Sequence, residues 1–300
     1  MQEADLITGC LWPVKTMSAR LLYSIPAFLL AVGLYLFVRQ PQAGVAEKRG
    51  EYPRIPILLF HDVDGKGPYA ISRHEFRQYL DILKEEKIQV ISLARLHEMM
   101  QKKLPAERPS VVITIDDDFK NIVRVAAPML REYGYPATFF VYTKNVTDQP
   151  RQGMAWEDLR RLQKEGFDIQ NHSHTHTAFH VPREGESADQ HAARVDIEIL
   201  HSREVLEDRL GHKIWSFAYP MGYHSPYLEK RLKDAGYELL LTTDANPPDV
   251  TKTYTGVLDR FTIQKGKDPF GLFYKQIAFA RRTLDDHSLT LKEDETEPRP

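Results

Sequence analysis

From residue 55 onward the chain alternates short apolar runs with stretches in which apolar residues return every three or four positions. The runs lie near 55–60, 87–92, 110–115, 137–142, 167–171, 214–219, 237–242 and 257–263, the length and composition of buried strands. Between them Phe76, Tyr79, Leu80 and Leu83 recur at helical spacing, as do Val195, Ile199, Val205 and Leu206 in part, and Leu228, Leu232 and Ala235. Such stripes read as core-facing sides of helices. The alternation predicts an α/β domain of parallel strands with covering helices, over about residues 55–282. No glycine-rich phosphate cradle, internal repeat or nucleophile elbow interrupts it.

The N-terminal region, 1–38, has a different pattern. From Leu21 to Val38 the chain is almost wholly apolar, with Lys15 and Arg20 before it and Arg39-Gln40-Pro41 after it. Eighteen residues at about 1.5 Å each reach about 27 Å, near the thickness of a hydrocarbon core. The segment is therefore expected to insert in a membrane as a signal anchor, with a cleavable secretory leader as the competitor. Gly44-Val45-Ala46 offers a cleavage site, and Met17 would give a shorter leader if translation began there. Either way the catalytic domain is expected outside the cytoplasm. Residues 39–54 read as a linker, and 283–300, polar and acid-rich, as a tail.

A composition of 42% hydrophobic and 27% charged residues suits one ordinary globular domain. The net charge of -2 gives no reason to expect nucleic acid as a partner. Cys10 is alone, so an intrachain disulfide is excluded.

Candidate chemistry concentrates in Thr114-Ile115-Asp116-Asp117-Asp118 and Asn171-His172-Ser173-His174-Thr175-His176. The carboxylates follow an apolar run and so sit where a buried strand ends, which is where sites collect in parallel α/β architectures. Residues 172–180 hold four of the chain's 12 histidines, a density that argues against scattered surface residues. An acidic triplet alone also reads as a helix cap with solvated charges. Together, carboxylate oxygen and imidazole nitrogen form the ligand set of a one-metal site that keeps a position open. If the chain turns at His172, residues four apart can face one ion while His174 points elsewhere. If the strand continued, 172, 174 and 176 would share a face. His180 reads as a rim residue.

These segments resemble the polysaccharide deacetylases of the NodB-homology type, carbohydrate esterase family 4. The resemblance spans roughly residues 55 to 265. Thr114–Asp118 is similar to the family's Thr-Phe-Asp-Asp-Gly, and His172, Ser173 and His176 to its His-Ser/Thr-x-x-His. Ile55–His61, Trp156–Leu159 and Phe217-Ala218-Tyr219-Pro220-Met221-Gly222 are similar segments in the same order. The resemblance implies a distorted or incomplete (β/α) barrel, with Asp116 as base and Asp117, His172 and His176 as ligands of one divalent ion. Zinc is the default, with cobalt or nickel also accepted. Phe-Ala-Tyr-Pro resembles the subgroup acting on β-1,6-linked N-acetylglucosamine polymers.

Four features depart from the family pattern. Asp118 replaces a glycine, and a side chain there excludes backbone conformations that only glycine enters cheaply. Ala218 stands where many relatives have an arginine that orients the base, so that arginine is absent. Met221 occupies the place whose backbone N–H helps bind an oxyanion, a role that survives any side chain. No late Leu-x-x-His supplies the general acid. His61 is preferred, with His224 as the alternative; His287 lies in a polar context without the pattern. Among aromatics near the motifs, Tyr219, Tyr223, Phe119, Trp156 and Trp215, Tyr223 is expected to face solvent and Trp156 to pack a helix start. The expected activity is removal of N-acetyl groups from N-acetylglucosamine units of a cell-surface polysaccharide. The alternatives are a degenerate carbohydrate-binding protein on the same scaffold, or a hydrolase of another C–N bond.

Overall fold

The computed structural model describes residues 50–148, 153–266 and 269–283. The apolar segment 21–38, the greater part of the expected linker, His287 and almost all of the tail lie outside them. Among the described residues no helix is long and apolar enough to cross a membrane. Residues 50–54, expected as linker, belong to the folded domain. Tyr52 and Ala106 exchange N–H···O bonds of 2.9 Å, and the Val250 N–H donates to the Pro53 carbonyl at 2.8 Å.

Among the described residues nine strands form one parallel sheet: β1 Ile57–Phe60, β2 Gln89–Ile91, β3 Ser110–Asp116, β4 Thr138–Val141, β5 Asp168–Asn171, β6 Ser216–Ala218, β7 Leu239–Leu241, β8 Val257–Leu258 and β9 Phe261–Thr262. Their order is β8-β7-β6-β5-β4-β3-β1-β9, with β2 also paired to β3. The helices are α1 Arg73–Glu85, α2 Leu93–Lys102, α3 Ala127–Tyr133, α4 Thr143–Asp148, α5 Trp156–Lys164, α6 Ala188–Asp196, α7 Ser202–Leu210, α8 Pro226–Asp234 and α9 Pro269–Ala280.

The run near 257–263, expected as one strand, divides into two that lie at opposite edges of the sheet. Only Asp259 and Arg260 separate them, and three Cα steps reach about 10 Å. The sheet must therefore curl until its edges nearly meet, which gives an incomplete barrel whose seam those two residues cross.

Side chains along a strand alternate between faces. Val112 packs inside the curl with Ile57, Phe140, Ala218, Leu239 and Leu241. Val111, Ile113 and Ile115 pack outward with Phe76 and Leu80 of α1 and Leu130 of α3. Both faces are buried, which is why 110–115 reads as continuously apolar. The same alternation carries Thr114 and Asp116 to the inner face. Helix boundaries follow local rules as well. Ser72 caps α1 in a reciprocal box with Glu75, and Phe76, Tyr79, Leu80 and Leu83 form its buried stripe.

Candidate active site

Asp116 ends β3, and the chain reverses at Asp117, whose φ is 70°. The left-handed conformation that glycine would ease therefore falls on Asp117, and not on Asp118 as the sequence comparison implied. Asp is among the side chains that tolerate it best. His172 follows β5 and points inward. Ser173 (φ 81°) and His176 (φ 56°) then coil the chain so that a second imidazole returns beside the first. The Glu198 carboxylate fixes this coil by accepting from the N–H groups of His174 and Thr175 at 3.0 and 2.9 Å. The His176 N–H donates to Ser173 Oγ at 3.0 Å.

One ligand atom from each of Asp117, His172 and His176 lies within 4.8 Å of the others. Asp117 Oδ1 is 3.4 Å from His176 Nε2 and 3.9 Å from His172 Nε2. Ligands at about 2.1 Å from one ion in tetrahedral array are about 3.4 Å apart, so small movements suffice to close the set. His172 Nδ1 donates to the Ala218 carbonyl at 2.8 Å, which fixes the tautomer and leaves the Nε2 lone pair facing Asp117. Burial lowers the His172 pKa to about 3 and so keeps the ring neutral. Asp117 Oδ1 is buried and has no hydrogen-bond partner. Burial first, then the charges of Asp116, Asp118 and Asp62, push the Asp117 carboxyl up to about 8. An orphaned carboxylate oxygen crowded by three other carboxylates, beside two neutral imidazoles, is the donor chemistry that a divalent cation satisfies. The residues fit the implied metal. His174 is outside the group, its Nδ1 paired with Thr143 Oγ1 at 2.8 Å.

The orienting arginine is present, from a place the motif comparison did not reach. Arg260, at the barrel seam and wholly buried, grips Asp116 with both guanidinium nitrogens at 2.7 Å. Its Nε donates to the Thr242 carbonyl at 3.1 Å. Burial alone would raise the Asp116 pKa, but Arg260 and then His172 outweigh it and hold the carboxyl down to about 2. Ala218 therefore costs the site no arginine. A charged residue within the apolar run Val257–Ile263 was the available signal, because a buried guanidinium needs a partner.

His61, Asp116, Asp117, His172 and His176 line one cavity of about 420 Å³, with Tyr219, Met221 and Tyr223 on its wall. Burial lowers His61 to about 4 against an opposing pull from Asp116. Its Nδ1 is buried and unpartnered, and its ring packs on Tyr69 at 4.9 Å. His224 lies apart, paired with Asp244 at 3.1 Å and packed on Tyr219 at 5.6 Å. Tyr219 is buried with an unpartnered hydroxyl. Met221 takes a left-handed turn at φ 59° and is exposed. Tyr223 faces solvent, its ring tilted against that of His180 at 5.0 Å. Trp156 packs the start of α5, Phe119 is partly exposed, and Trp215 lies under His97.

A family model described as polysaccharide deacetylase matches residues 103–240. Curated relatives include YxkH of Bacillus subtilis, 23% identical over 192 residues, 64% of this chain and 65% of that one. The poly-beta-1,6-N-acetyl-D-glucosamine N-deacetylase of Staphylococcus aureus is 25% identical over 194 residues, 62% of this chain and 66% of that one. The chain thus spans just under two thirds of the curated relatives it matches. In fold it is similar to IcaB from Ammonifex degensii, with a TM-score of 0.65 at 22% identity over 78% of this chain and 99% of that one. It is also similar to the deacetylase PplD of Streptococcus pyogenes, at TM-score 0.64 and 22% identity over 74% and 98% of the two chains. His61 and Arg260 both lie outside the segment that the family model covers, so their place in the site rests on geometry. Residues 103–240 are thus similar to the polysaccharide deacetylases, the family that the motifs within them resemble.

Proposed function

We propose that the chain is a metal-dependent hydrolase that removes N-acetyl groups from N-acetylglucosamine units of a cell-surface polysaccharide, with a β-1,6-linked polymer as the first candidate substrate. The observation that carries this reading is the convergence of Asp117, His172 and His176 beside Asp116, the one carboxylate held ionised by a buried arginine. The printed name of the Staphylococcus aureus relative supports the polymer.

A divalent cation, zinc by default, would be held by Asp117, His172 and His176 and would supply Lewis acidity next to the acyl oxygen and a water molecule. Asp116, ionised and fixed by two hydrogen bonds, is placed to accept a proton from water as the water oxygen bonds to the acyl carbon. The C–N bond then breaks, acetate leaves, and the nitrogen must gain a proton. His61, neutral at rest, would take up that proton and pass it to the leaving amine. Its place in the cavity supports this role over His224, which is engaged with Asp244 outside the lining. Met221, whose backbone turns sharply at the cavity wall, is placed to offer its N–H to the developing oxyanion, with Tyr219 and Tyr223 beside the sugar. The binding-only alternative drew on Ala218, Asp118 and the missing late histidine, and Arg260 removes the first of these supports. The apolar segment 21–38 motivates the further proposal of an exported enzyme, tethered to the membrane or released from it, which fractionation of cells expressing the full chain would test.

The test is acetate release from acetylated β-1,6-linked and β-1,4-linked glucosamine oligosaccharides. Activity should vanish on chelation and return with zinc or cobalt. Asp116→Asn should cost about 10²–10⁴ in kcat with metal still bound. A metal-loaded protein that releases no acetate from either series would sink the reading in favour of a binder.

A further inference from the structure

The loop that carries the second histidine lies beyond the end of β5, outside any strand or helix, yet from His172 to His176 each backbone N–H has a partner. His172 donates to the Val141 carbonyl at 2.9 Å. Ser173 donates to Asn171 Oδ1 at 2.9 Å, and His176 to Ser173 Oγ at 3.0 Å. The two between them, His174 and Thr175, both donate to Glu198 Oε2, and the Thr175 hydroxyl donates to Glu198 Oε1. One carboxyl group stands in for the secondary structure that the loop lacks.

Glu198 is itself held. It is 3% exposed while the neighbouring Ile197 is 50% exposed, the reverse of what hydropathy alone would give. Between α6 and α7 the helix widens into a π-helical turn, Ile197–His201, a rare form that recurs at functional sites. Two hydroxyls pin this turn. Ser202 Oγ donates to the Glu198 carbonyl at 2.6 Å, and the Tyr237 hydroxyl to the Ile199 carbonyl at 2.8 Å. Asn171, the last residue of β5, donates to both of those hydroxyls, at 2.7 and 2.6 Å. One strand end thereby ties down the start of the loop, through Ser173, and the turn that carries Glu198. The strained left-handed positions Ser173 and His176 lie within this ring of bonds, which holds them in place.

We infer that Glu198 is a positioning residue: by fixing the backbone of His174 and Thr175 it sets where the His176 imidazole stands, and with it the affinity of the site for a divalent ion. This rests on the metal-dependent reading above and deepens it. His172 needs no such support, because the Ala218 carbonyl already fixes its ring. His176 is the more exposed of the two, at 29% against 2%, and the loop backbone is what aims it. Outer groups that orient ligands commonly change metal affinity by about 10–100-fold when removed.

The experiment measures zinc and cobalt dissociation constants by competition with a chromophoric chelator, on the full-length wild type, Glu198→Asp, Glu198→Gln and Thr175→Val, alongside the thermal midpoint of each metal-free protein. Glu198→Asp keeps the charge but withdraws it by one methylene, and is expected to weaken binding by about tenfold and to alter the cobalt absorption spectrum. Glu198→Gln keeps an oxygen where the two N–H groups point and should recover most of that affinity. Thr175→Val loses only the hydroxyl bond and should fall between them. Affinities equal to wild type in Glu198→Asp would overturn the inference while leaving the metal site itself in place. A loss in Glu198→Gln as large as in Glu198→Asp would also overturn it, because charge and not placement would then be acting. Should Glu198→Asp fail to fold, unchanged affinity in Thr175→Val overturns it instead. A wild type that binds neither metal would overturn both this inference and the reading beneath it.

Discussion

The two ends of the barrel treat backbone strain in opposite ways. Where helices hand over to strands, at the N-terminal end of the sheet, four left-handed positions are glycines: Gly134, Gly166, Gly211 and Gly236. Lys87 and Lys103 are the exceptions there. Where strands end, Asp64, Asp117, Ser173, His176, Met221 and Ala245 take left-handed conformations with side chains attached. A side chain in that region costs about 1–2 kcal/mol at each position. The fold accepts the cost at Lys87 and Lys103 at one end and at six positions at the end that carries the cavity. Strain there re-aims Asp117 and His176 toward a common point, which relaxed extended or helical backbone would not do. The comparison separates residues that hold the scaffold from residues that hold the site.

The largest expected effect comes from the charge pair beneath that site. Arg260→Met leaves Asp116 buried without its partner, and removing one member of a buried pair costs about 3–5 kcal/mol. The Asp116 carboxyl would then rise toward protonation, because burial, no longer opposed by the guanidinium, favours the neutral acid. Acetate release should fall by about 100-fold or more, and urea unfolding should show the stability loss. Arg260→Lys keeps the charge but not the two-pronged grip, so it should fall between. Wild-type activity in Arg260→Met would detach the arginine from the reaction.

A smaller pair of substitutions tests the comparison directly. Gly134→Ala adds a methyl group with open space around it at φ 68°. It should lower stability by about 1 kcal/mol and leave turnover unchanged. Met221→Gly relaxes a strained position at the other end, so stability should move by less than that. The turn beside the cavity becomes free, however, and kcat/KM should drop several-fold. Equal behaviour of the two variants would mean that the distribution of strain carries no functional meaning.

What the sequence disclosed follows the same division. Asp116, Asp117, His172 and His176 were legible because each pair sits within five residues on one strand end, so local pattern carries them. The strand runs were legible because both faces of β3 are buried. Arg260 was not, since it meets Asp116 across 144 residues and a barrel seam that no local period encodes. The run 257–263 read as one strand for the same reason: only closure of the sheet sends its halves to opposite edges. The conformation of Asp118 was misjudged because the family glycine suggested where the turn falls, and one residue decides that.

The smallest effect concerns the end without chemistry. His97 of α2 is buried, stacked on Trp215 at 5.1 Å with an interplanar angle of 14°, and edge-on to Tyr254. Gln101 Nε2 lies 3.2 Å from its Nε2, so the ring accepts there and is neutral. Burial lowers its pKa below the ordinary value. The unfolded chain, titrating near the usual histidine value of about 6.5, then binds more protons than the folded one as pH falls. Stability from this group is complete above about 6.5 and is lost as pH drops through that value toward the lower folded pKa. His97→Gln removes the titration, so between pH 7 and 5 the variant should lose less stability than the wild type, by about 1 kcal/mol or less. Denaturant midpoints at the two pH values measure the difference. His97 does not line the cavity, so the pH profile of acetate release should be the same in both proteins. A shift in that profile would mean that the two ends of the barrel are coupled, and that the division between scaffold and site is too sharp.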